Sequence, residues 1–289
     1  MSKEISLDDI KKFWPEKAPD INIVQKYVSK YEKEKIVIKY GGNVLIDRKV
    51  FDNFISDINV LNKLGLSIVV VHGGGPRIKR ELDKRKMVSK FINGLRVTDK
   101  NIINIVEEVL IDFNEDIINS LKKLGSEASS FHTKCDNIIE VEPEREELGF
   151  VGIPKKINSN LIEDALDKNK IPIIAPLGLD KNNQTFNING DTAASAIAKK
   201  LKSRRLILMT NVEGVYDDKK RLISEIKPFD LENLIKWKIV AGGMIPKIEN
   251  CVDAVENGVR GVVILDGRKP HSILHEIFSD TGSGTLIRK

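Results

Sequence analysis

The fold of this chain is decided by ten residues, EKIVIKYGGN, at positions 34–43. The apolar run at 36–38 predicts a short buried strand that two glycines end. Lys39 lies at its carboxyl end, where open α/β sheets bind their ligands. Because glycine has no Cβ, the amides of Gly41 and Gly42 can approach an anion closely, and a lysine supplies a charge suited to phosphate. A plain tight turn with a solvated lysine would fit these residues equally well.

The same design recurs after the next strand, which favours the anion-binding interpretation. Residues 67–71 (SIVVV) predict a buried strand, and HGGGP follows it at 72–76. Glycines such as Gly73 and Gly74 at a strand end, with a proline opening a helix behind them, predict a nest for a phosphate or a carboxylate. A histidine in such a turn, here His72, is expected to brace it rather than to act as a general base.

Polar residues that could bind a substrate follow in two segments. Arg96, in NGLRVT, precedes a long predicted helix, where a guanidinium can bind a carboxylate bidentately; the alternative is a surface arginine. In NINGDTAA, at 187–194, Asp191 opens an alanine-rich helix and could serve as its cap. Capping does not explain why Asn187 and Asn189 lead into that helix.

A further glycine pair, Gly242-Gly243, precedes Lys247 at the start of another predicted helix. A buried strand at 206–209 leads directly to Thr210 and Asn211. The TGSGT sequence near the C-terminus does not follow a strand, so we do not interpret it as a nucleotide-binding turn.

Composition indicates an ordinary globular protein. The 289 residues are 41% hydrophobic and 31% charged with a net charge of +5, which suits one large α/β domain or two lobes. The lysines are scattered and lack interleaved aromatics, so we expect no nucleic-acid partner. No apolar run approaches membrane-spanning length, and the N-terminus lacks the apolar core of a signal peptide. Cys135 and Cys251 are far apart, which argues against a disulfide framework or a zinc site and favours a cytoplasmic location.

Strands alternate with helices along the chain, which predicts the α/β class with a mostly parallel central sheet. The common nucleotide-phosphate loop, the protein-kinase motifs, the dinucleotide fingerprint and the GxSxG elbow are all missing. What remains is a cleft with backbone amides, two lysines and one carboxylate. Phosphoryl transfer requires positioning and charge stabilisation of this kind.

Two other regions carry structural predictions. Residues 1–19 predict a loosely held extension, and 20–33 predict an amphipathic helix. That helix could pack on its own domain or offer its apolar stripe to another subunit, and both alternatives stay open. The short alternating runs at 126–157 predict small strands or hairpins that form a lid.

The chain resembles the amino acid kinase family, and within it the members that phosphorylate N-acetyl-L-glutamate. The matching motifs occur in order across residues 36–287: VIKYGGN (37–43), VVVHGGGP (69–76), NGLRVT (93–98), LGFVG (148–152), NINGDTAA (187–194), GGMIPK (242–247) and ILDGRKPHS (264–272). NGLRVT and GGMIPK are the motifs that narrow the resemblance from the whole family to the members that phosphorylate N-acetyl-L-glutamate.

The resemblance implies a three-layer αβα sandwich. Its N-terminal lobe, residues 34–180, would bind N-acetyl-L-glutamate, and its C-terminal lobe, residues 181–289, would bind MgATP. The γ-carboxylate would attack the γ-phosphorus of ATP, which is the second step of arginine biosynthesis. Mg²⁺ would be bound through the ATP phosphates, and no metal would be held by the protein alone.

The resemblance also implies roles for individual residues. Lys39 would hold the transferring phosphoryl oxygens, Lys247 would hold the ATP phosphates, and Asp191 would orient both lysines. Arg96 and Asn187 would bind the substrate α-carboxylate and its surroundings. The backbone amides offered to phosphate and to the acyl acceptor would be those of Gly41, Gly42, Gly73 and Gly74. The ATP side would further include Asn211, Gly242 and Gly243.

Arginine-inhibited members of the family carry an N-terminal helix that interlaces dimers into a hexamer, and residues 20–33 resemble it. The resemblance therefore implies a homo-oligomer, with a hexamer favoured over a dimer, and L-arginine as an effector near His271, Thr281 and Gly282. Thr281 stands where those members usually have an acidic residue, which argues for weakened inhibition. A kinase for N-acetyl-α-aminoadipate and a non-catalytic amino-acid sensor are the alternatives.

Overall fold

The computed structural model describes residues 7–42 and 47–289 of the chain. Asn43, the last residue of the opening stretch, and the first six residues of the N-terminal extension lie outside the described residues.

An eight-stranded sheet forms the centre of the fold, and its neighbouring strands are parallel except for one antiparallel pair, Val262–Asp266 with Gly284–Ile287. In spatial order its strands are β12 (Glu225–Ile226), β14 (Gly284–Ile287), β13 (Val262–Asp266), β11 (Arg205–Thr210), β1 (Lys35–Tyr40), β2 (Ser67–His72), β8 (Ile171–Ile174) and β5 (Ala128–Phe131). The predicted mostly parallel sheet is therefore confirmed.

The described part of the chain also forms two smaller sheets. One has the order β10 (Thr185–Asn187), β9 (Leu177–Leu179), β6 (Ile139–Pro143) and β7 (Gly152–Ile157), and the other pairs β3 (Phe91–Ile92) with β4 (Leu95–Arg96). The predicted hairpin exists as β6 and β7. The run around residues 128–131 is different, because β5 pairs with β8 at the edge of the central sheet and is no part of a lid.

The helices lie on both faces of the central sheet. They are α1 (Leu7–Lys11), α2 (Val24–Val28), α3 (Arg48–Lys63), α4 (Gly75–Lys84), α5 (Lys100–Lys123), α6 (Ser159–Asp167), α7 (Gly190–Lys200), α8 (Leu231–Lys236), α9 (Met244–Glu256) and α10 (Ser272–Ile277). Within the described ranges, none of them is both long and apolar enough to cross a membrane.

Alternate residues of the central strands face two separate hydrophobic cores, as the period of a strand requires. Val37 and Val69 pack in the core that contains α6, α7 and α9. Ile36 and Ile68 pack in the core that contains α3, the second half of α5, and α10. Helices thus cover the sheet on both sides, and the three-layer αβα sandwich is confirmed.

The N-terminal segment packs against the second of these cores. Ile10 on α1 is 2% exposed, and the ring of Trp14 lies 5.8 Å from that of Phe278. The prediction of a loosely held extension is therefore wrong for residues 7–19, because their few apolar side chains find a buried surface.

The predicted helix at 20–33 is broken into a 3-10 turn at Ile21–Ile23, the short helix α2 and a second 3-10 turn at Ser29–Tyr31. The side chains of Val24, Tyr27 and Tyr31 are buried. Of the two alternatives for the apolar stripe, the structure shows the one in which it packs on its own domain.

Strand β1 determines where the site lies. Later strands of the chain lie on both sides of it in the sheet, β2 on one side and β11 on the other. Such a switch point opens a crevice at the carboxyl ends of the strands. Tyr40 pairs with His72, and Lys39 pairs with Leu208. The two predicted glycine turns therefore leave the sheet side by side. The boundary at residue 180 stays a prediction, since β10 pairs with β9 across it.

Candidate active site

Two lysines from opposite sides of the crevice pair with one carboxylate. The Nζ of Lys39, at the end of β1, lies 2.9 Å from the Oδ1 of Asp191. The Nζ of Lys247, in the first turns of α9, contacts the Oδ2 of the same residue. The three side chains are mostly buried: 11% of Lys39, 19% of Asp191 and 22% of Lys247 is exposed. The cluster keeps one net positive charge at the edge of the sheet.

The ionisation of Asp191 follows from these contacts. Burial by itself would raise the pKa of this carboxyl group, but the charges of Lys39 and then of Lys247 outweigh burial and hold the pKa well below its usual range. Asp191 is therefore a permanent anion that fixes two ammonium groups.

Helix α7 is capped by Asn189. The Oδ1 of Asn189 accepts hydrogen bonds from the N–H groups of Asp191, at 2.9 Å, and Thr192, at 3.2 Å. The interpretation of Asp191 as a cap is therefore wrong. The sequence signal that identifies Asn189 as the cap is the strong preference of asparagine for the N-cap position.

The second glycine turn offers fewer amides than predicted. The N–H of Gly73 donates to the carbonyl of Tyr40 at 2.6 Å, so it is not available to a ligand. Across residues 7–42 and 47–289, no carbonyl or side chain accepts the N–H of Gly74 or Gly75. Helix α4 begins at Gly75 with Pro76 in its first turn, so its positive end also faces the crevice.

At two positions in these turns a larger residue would displace a neighbouring side chain. A Cβ at Gly41 would overlap the Nζ of Lys39, whose side chain lies across it. A Cβ at Gly74 would overlap the Cδ2 of Leu110. Gly42 has a φ of +78°, which also favours glycine.

Arg96 is buried and held in place. Its guanidinium donates to the hydroxyl of Ser89 and, at 3.3 Å, to the carbonyl of Gly75, and it stacks 4.7 Å from the centre of the Phe91 ring. Burial lowers the pKa of Arg96. The alternative of a surface arginine is thus wrong, since only 9% of the residue is exposed.

The LGFVG segment joins the two sides of the substrate region. The N–H of Phe150 donates to the carbonyl of Thr98 at 2.7 Å, and the N–H of Asn187 donates to the carbonyl of Phe150 at 2.9 Å. Gly149 has a φ of +66°, and a Cβ there would lie 2.5 Å from the Thr98 carbonyl oxygen. This segment therefore fixes the strand of Arg96 beside Asn187.

A cavity of about 200 Å³ collects most of the predicted site. Among its lining residues are Lys39, Gly42, Gly73, Gly74, Arg96, Asn187 and Asp191, which the sequence had singled out, together with Gly75, Val151 and Asn189, to which it assigned no binding role. Gly242, Gly243 and Asn211 do not line this cavity and are exposed to solvent. The residues predicted to bind the acceptor substrate thus line one cavity, whereas these three residues, which are predicted to bind ATP, are exposed outside it.

Of the three predicted effector residues, two line the same cleft and the third, His271, does not. The Nδ1 of His271 lies 2.6 Å from the Oδ1 of Asp57 in a buried pair, and burial raises the pKa of Asp57 to about 6. Thr281 and Gly282 instead line a separate cleft with Glu276. His271 is not among the residues that line that cleft.

This fold and this cluster of charges define a class of phosphotransferases. The amino acid kinase family matches residues 34–266, and the chain belongs to this family. Within the family it is similar to the acetylglutamate kinase of Pelagibacter ubique, with 53% identity over 95% of this chain and 96% of that protein. It is also 45% identical to the acetylglutamate kinase of Clostridioides difficile, over 95% of this chain and 98% of that protein.

Solved structures agree with the fold. The structure of smu.665 from Streptococcus mutans superposes with a TM-score of 0.74 and 32% identity, over 89% of this chain and 99% of that one. N-acetylglutamate synthase from Neisseria gonorrhoeae, complexed with coenzyme A and N-acetyl-glutamate, gives a TM-score of 0.84 at 23% identity, over 93% of this chain and 62% of that one. At that identity the second likeness concerns the fold alone.

Proposed function

We propose that the protein transfers the γ-phosphoryl group of ATP to the γ-carboxylate of N-acetyl-L-glutamate, forming N-acetyl-L-glutamyl 5-phosphate in the second step of arginine biosynthesis. The observation that carries this proposal is the pairing of Lys39 and Lys247 with the single carboxylate of Asp191. Similarity to acetylglutamate kinases over nearly the whole chain supports the choice of substrate.

The chemistry needs no general base, because the attacking carboxylate is already an anion. The main obstacle is the repulsion between this anion and the phosphates of ATP. Lys39 and Lys247 reduce that repulsion, and ordered ammonium groups in a partly buried site do so more strongly than water can. Asp191 holds both groups in place before the substrates arrive, so that little reorganisation is needed during the reaction.

The acceptor would lie in the cavity beside Lys39. A guanidinium has five N–H donors, and the contacts of Arg96 with Ser89 and Gly75 leave others free for the α-carboxylate of the substrate. Asn187 lies beside it and would bind the neighbouring part of the substrate. The N–H of Gly74, which has no acceptor among the described residues, would bind the reacting end.

ATP would lie on the side of Lys247, along Gly242, Gly243 and Asn211. In the described part of the chain, no group of three His, Cys, Asp or Glu side chains could hold a metal ion, and Asp191 is already engaged by two lysines. As the resemblance implies, Mg²⁺ would be bound through the ATP phosphates, where it would neutralise phosphate charge.

A coupled assay of ADP release tests the proposed function. The substrates are N-acetylglutamate, its one-carbon-longer homologue N-acetyl-α-aminoadipate, and free glutamate. We expect turnover with N-acetylglutamate at least tenfold above the other two. Preference for the longer acid would show that N-acetyl-α-aminoadipate is the substrate. No turnover with any of the three acids would favour the alternative of a non-catalytic amino-acid sensor.

We also propose a homo-oligomer, with a hexamer favoured over a dimer, and L-arginine as an effector. Both proposals rest on the resemblance of residues 20–33 and of the C-terminal stretch to arginine-inhibited members of the family. Because Tyr27 and Tyr31 are buried in their own chain, an interface would have to use the exposed side of this segment. Light scattering should give six times the chain mass of 32.5 kDa, and a dimer would contradict the proposal.

A further inference from the structure

A buried chain of hydrogen bonds lies behind the second glycine turn, and the steps proposed above do not use it. His72 and Asn114 are both fully buried. The Nδ1 of His72 lies 3.0 Å from the carbonyl oxygen of Gly73, and its Nε2 lies 3.2 Å from the Nδ2 of Asn114. The same Nδ2 lies 2.9 Å from the carbonyl oxygen of Ile173, and the Oδ1 of Asn114 accepts from Ser130 at 2.8 Å.

These contacts determine where the imidazole proton lies. A carbonyl oxygen can only accept, so the Nδ1 of His72 must donate to Gly73. The amide of Asn114 is oriented by Ile173 and Ser130, so its remaining N–H points at the Nε2, which must accept. His72 is thus neutral with its proton on Nδ1. Burial agrees with this assignment, since it lowers the pKa of His72 to about 4.

The bond to His72 sets the direction of a peptide group in the crevice. In a trans peptide the carbonyl of Gly73 and the N–H of Gly74 point in opposite directions. The carbonyl points inward to His72, so the N–H points outward to the cavity. The N–H of Gly73 is tied to Tyr40, which fixes the turn on its other side as well.

The surroundings of His72 favour this role over simple packing. The ring packs edge-on against Phe113, with the ring centres 5.0 Å apart, so it has a defined orientation. An apolar residue would fill the same space but would remove the donor that the carbonyl of Gly73 has in His72. The turn could then rotate to find another partner, and the N–H of Gly74 would no longer point at the cavity.

We propose that His72 is a positioning residue, which donates from Nδ1 to the Gly73 carbonyl and thereby aims the Gly74 N–H at the anion in the cavity. This inference rests on the proposed function, in which that anion is the γ-carboxylate and the phosphoryl group it accepts. A donor aimed at such a group should matter most in the transition state.

Two variants distinguish the hydrogen bond that His72 donates to Gly73 from the packing of its ring. His72→Asn places an amide N–H where Nδ1 is and retains the bond to Gly73. His72→Gln extends one atom further, so it can accept from Asn114 but cannot donate to Gly73. We expect His72→Gln to lower kcat by about 10²-fold with the KM for ATP unchanged, and His72→Asn to stay within about fivefold of wild type. Thermal unfolding identifies variants that have lost the fold.

Equal losses in the two folded variants, or wild-type kcat in His72→Gln, would overturn the proposal. If neither variant folds, the wild-type protein still decides the question. Histidine labelled with ¹⁵N reports the protonated nitrogen, and His72 is one of four histidines. A proton on Nε2 overturns the inference, and one on Nδ1 supports it. This result does not depend on whether the protein phosphorylates N-acetylglutamate, so the two proposals can fail separately.

Discussion

The side chain of Asn189 caps helix α7 by accepting from the N–H of Asp191 at 2.9 Å, and it thereby leaves the Asp191 carboxylate free for two lysines. Asn189 and Asp191 are two residues apart in the sequence. The side-chain amide of Asn189 accepts from backbone N–H groups of α7, whereas the carboxylate of Asp191 binds the two lysines. This division of tasks allows a helix to begin at the point where the charges of the two substrates would meet.

The cap should therefore influence both stability and turnover. We expect Asn189→Ala to lower the free energy of unfolding by about 1 kcal/mol and to lower kcat, because Asp191 is then drawn toward the unpaired N–H groups of α7. Asn189→Ser, which retains a capping oxygen, should preserve both. Urea unfolding and the ADP-release assay measure the two effects. A loss of stability without any loss of kcat would show that the cap does not position Asp191.

Loss of either lysine should slow the reaction strongly without unfolding the protein. Lys39→Ala and Lys247→Ala are each expected to lower kcat by about 10²-fold to 10³-fold, because an ordered positive charge is removed from the transferring phosphoryl group. Lys155→Ala is the control, since it removes an ammonium from an exposed ion pair with Glu142. Activity near that of the wild type in either site variant would refute the roles proposed for the lysines.

Asp191 should make stability depend on pH in the acid range. Its folded pKa lies well below the ordinary value of about 3.9, so its contribution is complete above about pH 5 and is lost as the pH falls through the folded pKa. We expect Asp191→Asn to be less stable than the wild type at pH 7. That difference should shrink steadily between about pH 5 and pH 2, as measured by urea unfolding at each pH. A difference that stays constant over this range would contradict the ion pairing.

Adjacent glycines of the second turn should tolerate alanine differently. A Cβ at Gly74 would overlap Leu110, whereas a Cβ at Gly75 meets nothing within 4 Å. Gly74→Ala should therefore cost about 1–3 kcal/mol of stability and much of the activity, while Gly75→Ala should cost little. Leu110 is itself fully buried, so Leu110→Ala should be destabilising alone, but the further loss caused by Gly74→Ala should be smaller in that variant than in the wild type. Similar stability of the two single variants would show that the turn shifts easily and that its geometry is not critical.

Much of the fold could be predicted because it is encoded locally. Apolar runs such as residues 36–38 and the glycines after them specify strands and their ends within a few residues. Alternation of such strands with helices then implies a mostly parallel sheet. The N-terminal segment was predicted less well, because whether Ile10 and Trp14 find a buried surface depends on α10 and on Phe278 directly after it, far along the chain.

The sequence by itself determined which groups are available: glycine turns after two neighbouring strands, two lysines and one acid at the starts and ends of elements. Only the tertiary structure decided how they are used. It paired Asp191 with both lysines, occupied the N–H of Gly73 with the carbonyl of Tyr40, and placed His271 against Asp57. The physical reason is that local propensities act over a few residues, whereas each of these pairings joins segments that become neighbours only when the sheet and its helices assemble.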